Sequence, residues 1–161
     1  VNGWFGGEMR VYYAHAMCIY GHPVERAERR QIKRRFPKCK IIDPGEYEGN
    51  LEKKVRGMQY CFELISNCDL LVFSRLYKQI TSGVGLEISY ALSKGIRVYE
   101  LCGKRLKEIK RPRSCLSRQS TVQLYRIWRI NEWRRQKAAH LVMSPAEIHR
   151  EIDEIKKLKR K

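Results

Sequence analysis

Acidic side chains are scarce in this chain, with 17 Asp and Glu against 34 Lys and Arg and a formal net charge of +17. Long apolar runs are missing, and none approaches the roughly 18–20 residues that a membrane-spanning helix needs. The start of the chain lacks the charged-then-apolar pattern of a secretory signal. Membrane insertion and secretion are therefore not expected, and the expected location is cytoplasmic. The six cysteines form no Cys-x-x-Cys pair and no Cys/His cluster at zinc spacing, so neither a metal site nor a cofactor is expected. They suit small buried hydrophobes in a reducing compartment. No internal repeat is visible.

What is present fits one globular domain. A chain of 161 residues can bury roughly 70% of its unfolded surface, enough for a core without staples. With 43% hydrophobic and 32% charged residues, wholesale disorder is excluded. The charge is unevenly spread. Residues 1–103 carry 16 basic and 11 acidic side chains, whereas residues 104–161 carry 18 basic and 6 acidic. Such a tail suggests an acidic partner, nucleic acid above all, or else a solvated helical face.

Three glycines and two aromatics without a pattern make residues 1–8 a flexible leader. From Arg10 onward, two kinds of segment alternate. Short runs rich in β-favouring residues at 11–14, 39–42, 70–73 and 96–101 read as buried strands. Helices are expected over 25–36, 51–66 and 83–94, the second with Val55, Met58, Phe62 and Ile65 on one stripe. Continuous apolar strands alternating with helices predict a three-layer α/β sandwich, Rossmann-like or flavodoxin-like, with a parallel sheet of four or five strands. This domain is expected over residues 9–103.

Residues 104–161 read as a basic helical extension. One helix is expected over 121–139, with Leu124, Ile127, Trp128 and Leu141 on its apolar side. Ser144-Pro145-Ala146-Glu147 is a capping box opening another, continued by Ile148, Ile152 and Ile155. Arg126, Arg129, Arg134 and Arg135 interleave with Tyr125, Trp128 and Trp133. That pattern fits a nucleic-acid surface, or a helix that docks its aromatics on the domain or on a second subunit.

In an open parallel sheet, ligands bind beyond the carboxyl ends of the strands. The third strand leads there into Thr81-Ser82-Gly83-Val84-Gly85-Leu86-Glu87, with two hydroxyls and two glycines at a helix N-terminus. Backbone N–H groups and the helix dipole could hold a phosphate there; equally, the glycines could serve tight helix–sheet packing. On a helical wheel, Val84, Ile88, Ala91 and Leu92 form the apolar stripe, and Glu87 lies about 60° from Val84 at its edge. A carboxylate there points toward the sheet or the ligand crevice, where burial would raise its pKa, or it merely complements the helix dipole.

This segment, followed by Ile88, Ala91-Leu92 and Gly95-Ile96-Arg97-Val98, resembles the signature of the nucleoside 2-deoxyribosyltransferase superfamily. It is most similar to the 2'-deoxynucleoside 5'-phosphate N-hydrolase branch. The Asp69-Leu70-Leu71-Val72-Phe73 and Tyr12-Tyr13-Ala14 strands match in order and spacing, so the resemblance spans roughly residues 10–102. It implies a Rossmann-like enzyme that cleaves N-glycosidic bonds of a nucleoside or nucleoside 5'-monophosphate, with Glu87 attacking the anomeric carbon. It implies further that Thr81 and Ser82 meet the 5'-phosphate beside Gly83 and Gly85, and that Tyr12 or Tyr13 lies near the nucleophile. A homodimer is also implied.

Two departures from the family pattern stand out. The stretch Gly57 to Glu63 offers no counterpart of the family's aspartate, only Glu63. His15-Ala16 replaces a serine after the first strand, and His15 could protonate the leaving base or be structural. The alternative function is a non-catalytic module that senses a nucleotide or binds nucleic acid through residues 104–161.

Overall fold

The computed structural model describes residues 7–137 and 142–157. Its elements are β1 (Arg10–Ala14), α1 (Pro23–Arg35), β2 (Lys40–Ile42), α2 (Leu51–Arg56), α3 (Met58–Ser66), β3 (Leu70–Phe73), α4 (Ser82–Ser93), β4 (Arg97–Cys102), β5 (Arg105–Ile109), α5 (Arg118–Lys137) and α6 (Pro145–Lys157). The strands form one sheet in the order β2-β1-β3-β4-β5. The first four are parallel and β5 runs antiparallel to β4. This α/β architecture is compatible with a Rossmann-like fold. Most of the expected leader, residues 1–6, and Leu141 lie outside the described residues.

The two sheet faces divide the central strands by parity. Tyr12, Ala14, Leu71, Phe73 and Val98 pack with Ile65, Val84, Ile88 and Ala91 of α3 and α4. Val11, Tyr13, Leu70 and Val72 pack with Ile32 of α1. Both faces are covered, which is why β1 and β3 show no polar alternation. A third cluster joins Ala16, Ile19 and Leu76, from the loops after β1 and β3, to Leu124, Trp128, Ile152 and Ile155 of α5 and α6. The two C-terminal helices therefore lie over the loops at the carboxyl ends of the strands. The capping box at α6 forms in both directions, from the Ser144 N–H to Glu147 (2.6 Å) and from the Glu147 N–H to Ser144 Oγ (3.2 Å).

Three expectations need correction. The sheet is not wholly parallel, and it does not end at residue 103. Gly103, at φ +60°, closes a tight turn that folds β5 back on β4. The two apolar side chains of this edge strand, Leu106 and Ile109, are three positions apart and so pack on opposite faces of the sheet, and Ile109 is buried. Nor is the helix over 51–66 continuous. Gly57, at φ +55°, breaks it into α2 and α3, and Val55 falls off the buried stripe at 78% exposure. Among the described residues, no helix is long and apolar enough to cross a membrane.

Candidate active site

The chain leaves β1 toward β2 but leaves β3 toward β4, so the crevice between the carboxyl ends of β1 and β3 is the switch point where α/β sheets take ligands. Strand parity turns Tyr12 toward α3 and α4, and Glu87 reaches it from the edge of α4's apolar stripe. The Tyr12 hydroxyl donates to Glu87 Oε1 at 2.6 Å. Glu87 is 6% exposed. Burial pushes its carboxyl up to about 7, against the opposing pull of the Tyr12 hydrogen bond, the Lys53 charge and a hydrogen bond from Cys61. Burial and the neighbouring carboxylate hold the Tyr12 phenol well above its ordinary range, so it remains a donor.

The surroundings come from four more segments. Cys61 stands on α3 beside the pair, its thiol pushed up by burial and then by the charge of Glu87. Lys53 of α2 donates to the Pro44 carbonyl at 2.8 Å, pairs with Glu48, and lies over the Tyr20 ring at 5.6 Å. Tyr20 follows β1, and its phenol is raised by burial and by Glu87. From α5, Thr121 Oγ1 accepts the Ser82 N–H at 2.9 Å, and Tyr125 Oη accepts the Met17 N–H at 3.2 Å. Tyr125 also feels the Thr81 hydroxyl and the Glu87 charge.

Thr121 and Tyr125 were not foreseen. Thr121 shares the buried stripe of α5 with Leu124 and Trp128, and half-buried Tyr125 lies beside it, on a helix whose basic flanks suggested a separate tail.

The loop before α4 divides between the two readings of its glycines. Thr81 is buried at the helix N-cap, and Ser82 and Gly83 are half-buried. Gly83 has open space where a Cβ would stand. Gly85 does not: a Cβ there would meet Cys115 Sγ at 2.5 Å and Cys115 Cβ at 2.7 Å. Gly85 thus serves helix packing, which corrects its expected place at the substrate. Gly85→Ala is expected to destabilise the fold by about 1–3 kcal/mol in urea unfolding, the usual cost of overpacking. Combination with Cys115→Gly should recover most of that loss; an unrecovered loss would refute the assignment.

Tyr13 and His15 require correction too. Tyr13 faces α1, where its hydroxyl donates to Glu28, on the opposite side of the sheet from Glu87. The His15 ring is enclosed, stacked on Tyr13 at 3.9 Å and edge-on to Tyr20 at 4.9 Å. It contacts carboxylates rather than opening toward a leaving base. Glu63 is exposed and paired with Arg56, so it does not stand in for the missing aspartate.

A buried carboxylate near neutral pKa, held by a phenol at a switch point, can act as a nucleophile or as a proton carrier. Comparison with family models, with curated proteins and with solved structures finds no match to this chain.

Proposed function

We propose that the chain is an N-glycosidase of the deoxyribosyltransferase kind, acting on a nucleoside or nucleoside 5'-monophosphate with Glu87 as nucleophile. The observation that carries this reading is the Tyr12–Glu87 pair, buried at the switch point. Tyr12 holds Oε1 and leaves Oε2 to attack the anomeric carbon. As that C–O bond forms, the glycosidic C–N bond breaks and its electron pair leaves with the base, which takes a proton from solvent water. Water or an acceptor base then attacks the same carbon and releases the carboxylate. Two displacements replace one difficult one, as in retaining glycosidases. The Thr81 hydroxyl and the open position at Gly83 suit the sugar or its 5'-phosphate.

Because Glu87 is 6% exposed, substrate must displace part of what encloses it. Incubation with a panel of nucleosides and nucleoside monophosphates, followed by chromatography for free base, tests the activity. Release is expected from at least one class; none from any class would refute it. A homodimer belongs to the same reading, supported by the exposed apolar side chains Leu51 and Val55 on α2 and Leu86 on α4.

A second reading, nucleic-acid binding, draws support from the outer face of α5. Trp133 is 57% exposed there, and Arg126 and Arg129, seven and four positions earlier on the same side of the helix, are exposed as well. Cations flanking an open aromatic ring suit a single strand. Trp128, by contrast, is buried in docking. Affinity for a single-stranded oligonucleotide should then fall steeply with salt and drop about tenfold or more in Trp133→Ala. Salt-independent binding, or binding untouched by that substitution, would contradict it.

A further inference from the structure

Beyond the crevice, three side chains far apart in sequence converge at the carboxyl edge of the sheet. His15 follows β1, Glu25 stands on α1, and Asp43 follows β2. One ligand-type atom from each lies within 4.8 Å of the others. His15 Nε2 is 3.1 Å from Glu25 Oε2 and 3.7 Å from Asp43 Oδ1. The His15 side chain is fully enclosed and that of Asp43 nearly so.

Arg29 pairs with Asp43 Oδ2 at 2.7 Å and so balances one of the two carboxylates, which leaves the other, among the described residues, without an Arg or Lys partner beside His15. His15 Nδ1 lies 3.1 Å from the Tyr13 carbonyl oxygen, which can only accept, so Nδ1 carries the hydrogen. In a neutral ring, Nε2 then turns a lone pair toward two carboxylate oxygens. A proton on Nε2 would reach Glu25 but not Asp43, whose oxygen is beyond hydrogen-bond distance. A metal ion satisfies all three at once. Imidazole and carboxylate ligands sit about 2.0–2.2 Å from zinc, which the spacing of these atoms accommodates. Every ligand also has the outer partner that metal sites normally show. Tyr13 holds His15, the Gly21 N–H (3.1 Å) holds Glu25, and Arg29 (2.7 Å) and the Gly45 N–H (2.8 Å) hold Asp43.

We propose that His15, Glu25 and Asp43 bind one divalent first-row transition-metal ion, which ties the loops after β1 and β2 to the first helix. One imidazole with two carboxylates selects the zinc, cobalt and manganese type rather than a soft thiolate-bound ion. The ion stiffens the wall of the crevice, because Tyr20 packs against His15 on one side and feels Glu87 on the other. The site stands independently of the glycosidase reading.

The full chain, stripped with chelator, is titrated with Co(II) and with Zn(II). One equivalent of Co(II) should bind, with visible d–d bands and no thiolate-to-cobalt band in the near ultraviolet. The melting temperature should rise by about 5–10 °C with metal at one hundred times its dissociation constant. His15→Gln and Asp43→Asn, checked for folding by circular dichroism, should lose the bands, while His149→Gln at the exposed His149–Asp153 pair keeps them. Wild-type protein that takes up no stoichiometric metal, a thiolate spectrum, or uptake unchanged in His15→Gln would overturn the proposal.

Discussion

Glu87→Gln is expected to slow release of free base by about 10³-fold or more, since an amide cannot form the glycosyl ester. The substitution keeps volume and keeps an acceptor for the Tyr12 hydroxyl, so circular dichroism should be unchanged. The pH profile adds a second readout. A nucleophile must be ionised, and burial holds this carboxyl at about 7, so wild-type kcat/KM should climb as pH rises through about 7. Tyr12→Phe removes the hydrogen bond that opposes burial, so its climb should shift to higher pH. The loss should be about 10²-fold at pH 7 and smaller at pH 9. Equal base release by wild type and Glu87→Gln would remove the catalytic role, and an unshifted profile in Tyr12→Phe would remove the partnership.

The same carboxyl makes the fold pH-sensitive in a direction opposite to that of a salt-bridged acid. Its folded pKa of about 7 lies above the ordinary 4.5. Between those values the folded chain holds a proton that the unfolded chain has lost, so stability falls as pH rises. Below 4.5 both states are protonated, and above about 7 both are ionised, so the change is confined to that window. A difference of that size corresponds to about 3 kcal/mol. Glu87→Gln abolishes the ionisation. Urea unfolding should therefore show the variant gaining about 2.5 kcal/mol on the wild type between pH 5 and pH 8. Parallel stabilities across that range would mean that the carboxyl is not held in the apolar surroundings described.

Much of this site was legible in the sequence because helical periodicity is strict. The wheel placed Glu87 at the edge of α4's apolar stripe, and the structure puts it there, buried. Tyr12 and Tyr13 could not be separated. β1 is apolar on both faces, so the sequence holds no alternation from which to decide which tyrosine meets α4. The glycines were equally ambiguous: Gly83 stands open and Gly85 is filled by Cys115, a contact across 30 positions that no local pattern encodes.

Charge misled the reading twice. The Arg and Lys of residues 104–118 hid a strand with no apolar–polar alternation of its own: in Arg105-Leu106-Lys107-Glu108-Ile109 the two apolar residues stand three apart and serve opposite faces of the sheet. Farther on, the arginines of α5 drew attention to a tail, while Thr121 and Tyr125 between them reach the loop before α4. The His15, Glu25 and Asp43 cluster left no sequence signal, because its members are separated by 10 and 18 positions and only the sheet order brings them together.

The central claim is that Glu87 is a covalent nucleophile at an anomeric carbon. A 2'-fluoro nucleoside or nucleoside monophosphate slows both displacements by destabilising their oxocarbenium-like transition states. Incubation with that substrate, acid quenching, digestion and peptide mass spectrometry would find the intermediate. A peptide carrying the fluorinated sugar on Glu87, absent from Glu87→Gln, is the expected result. Base released with the sugar on another residue would contradict the account.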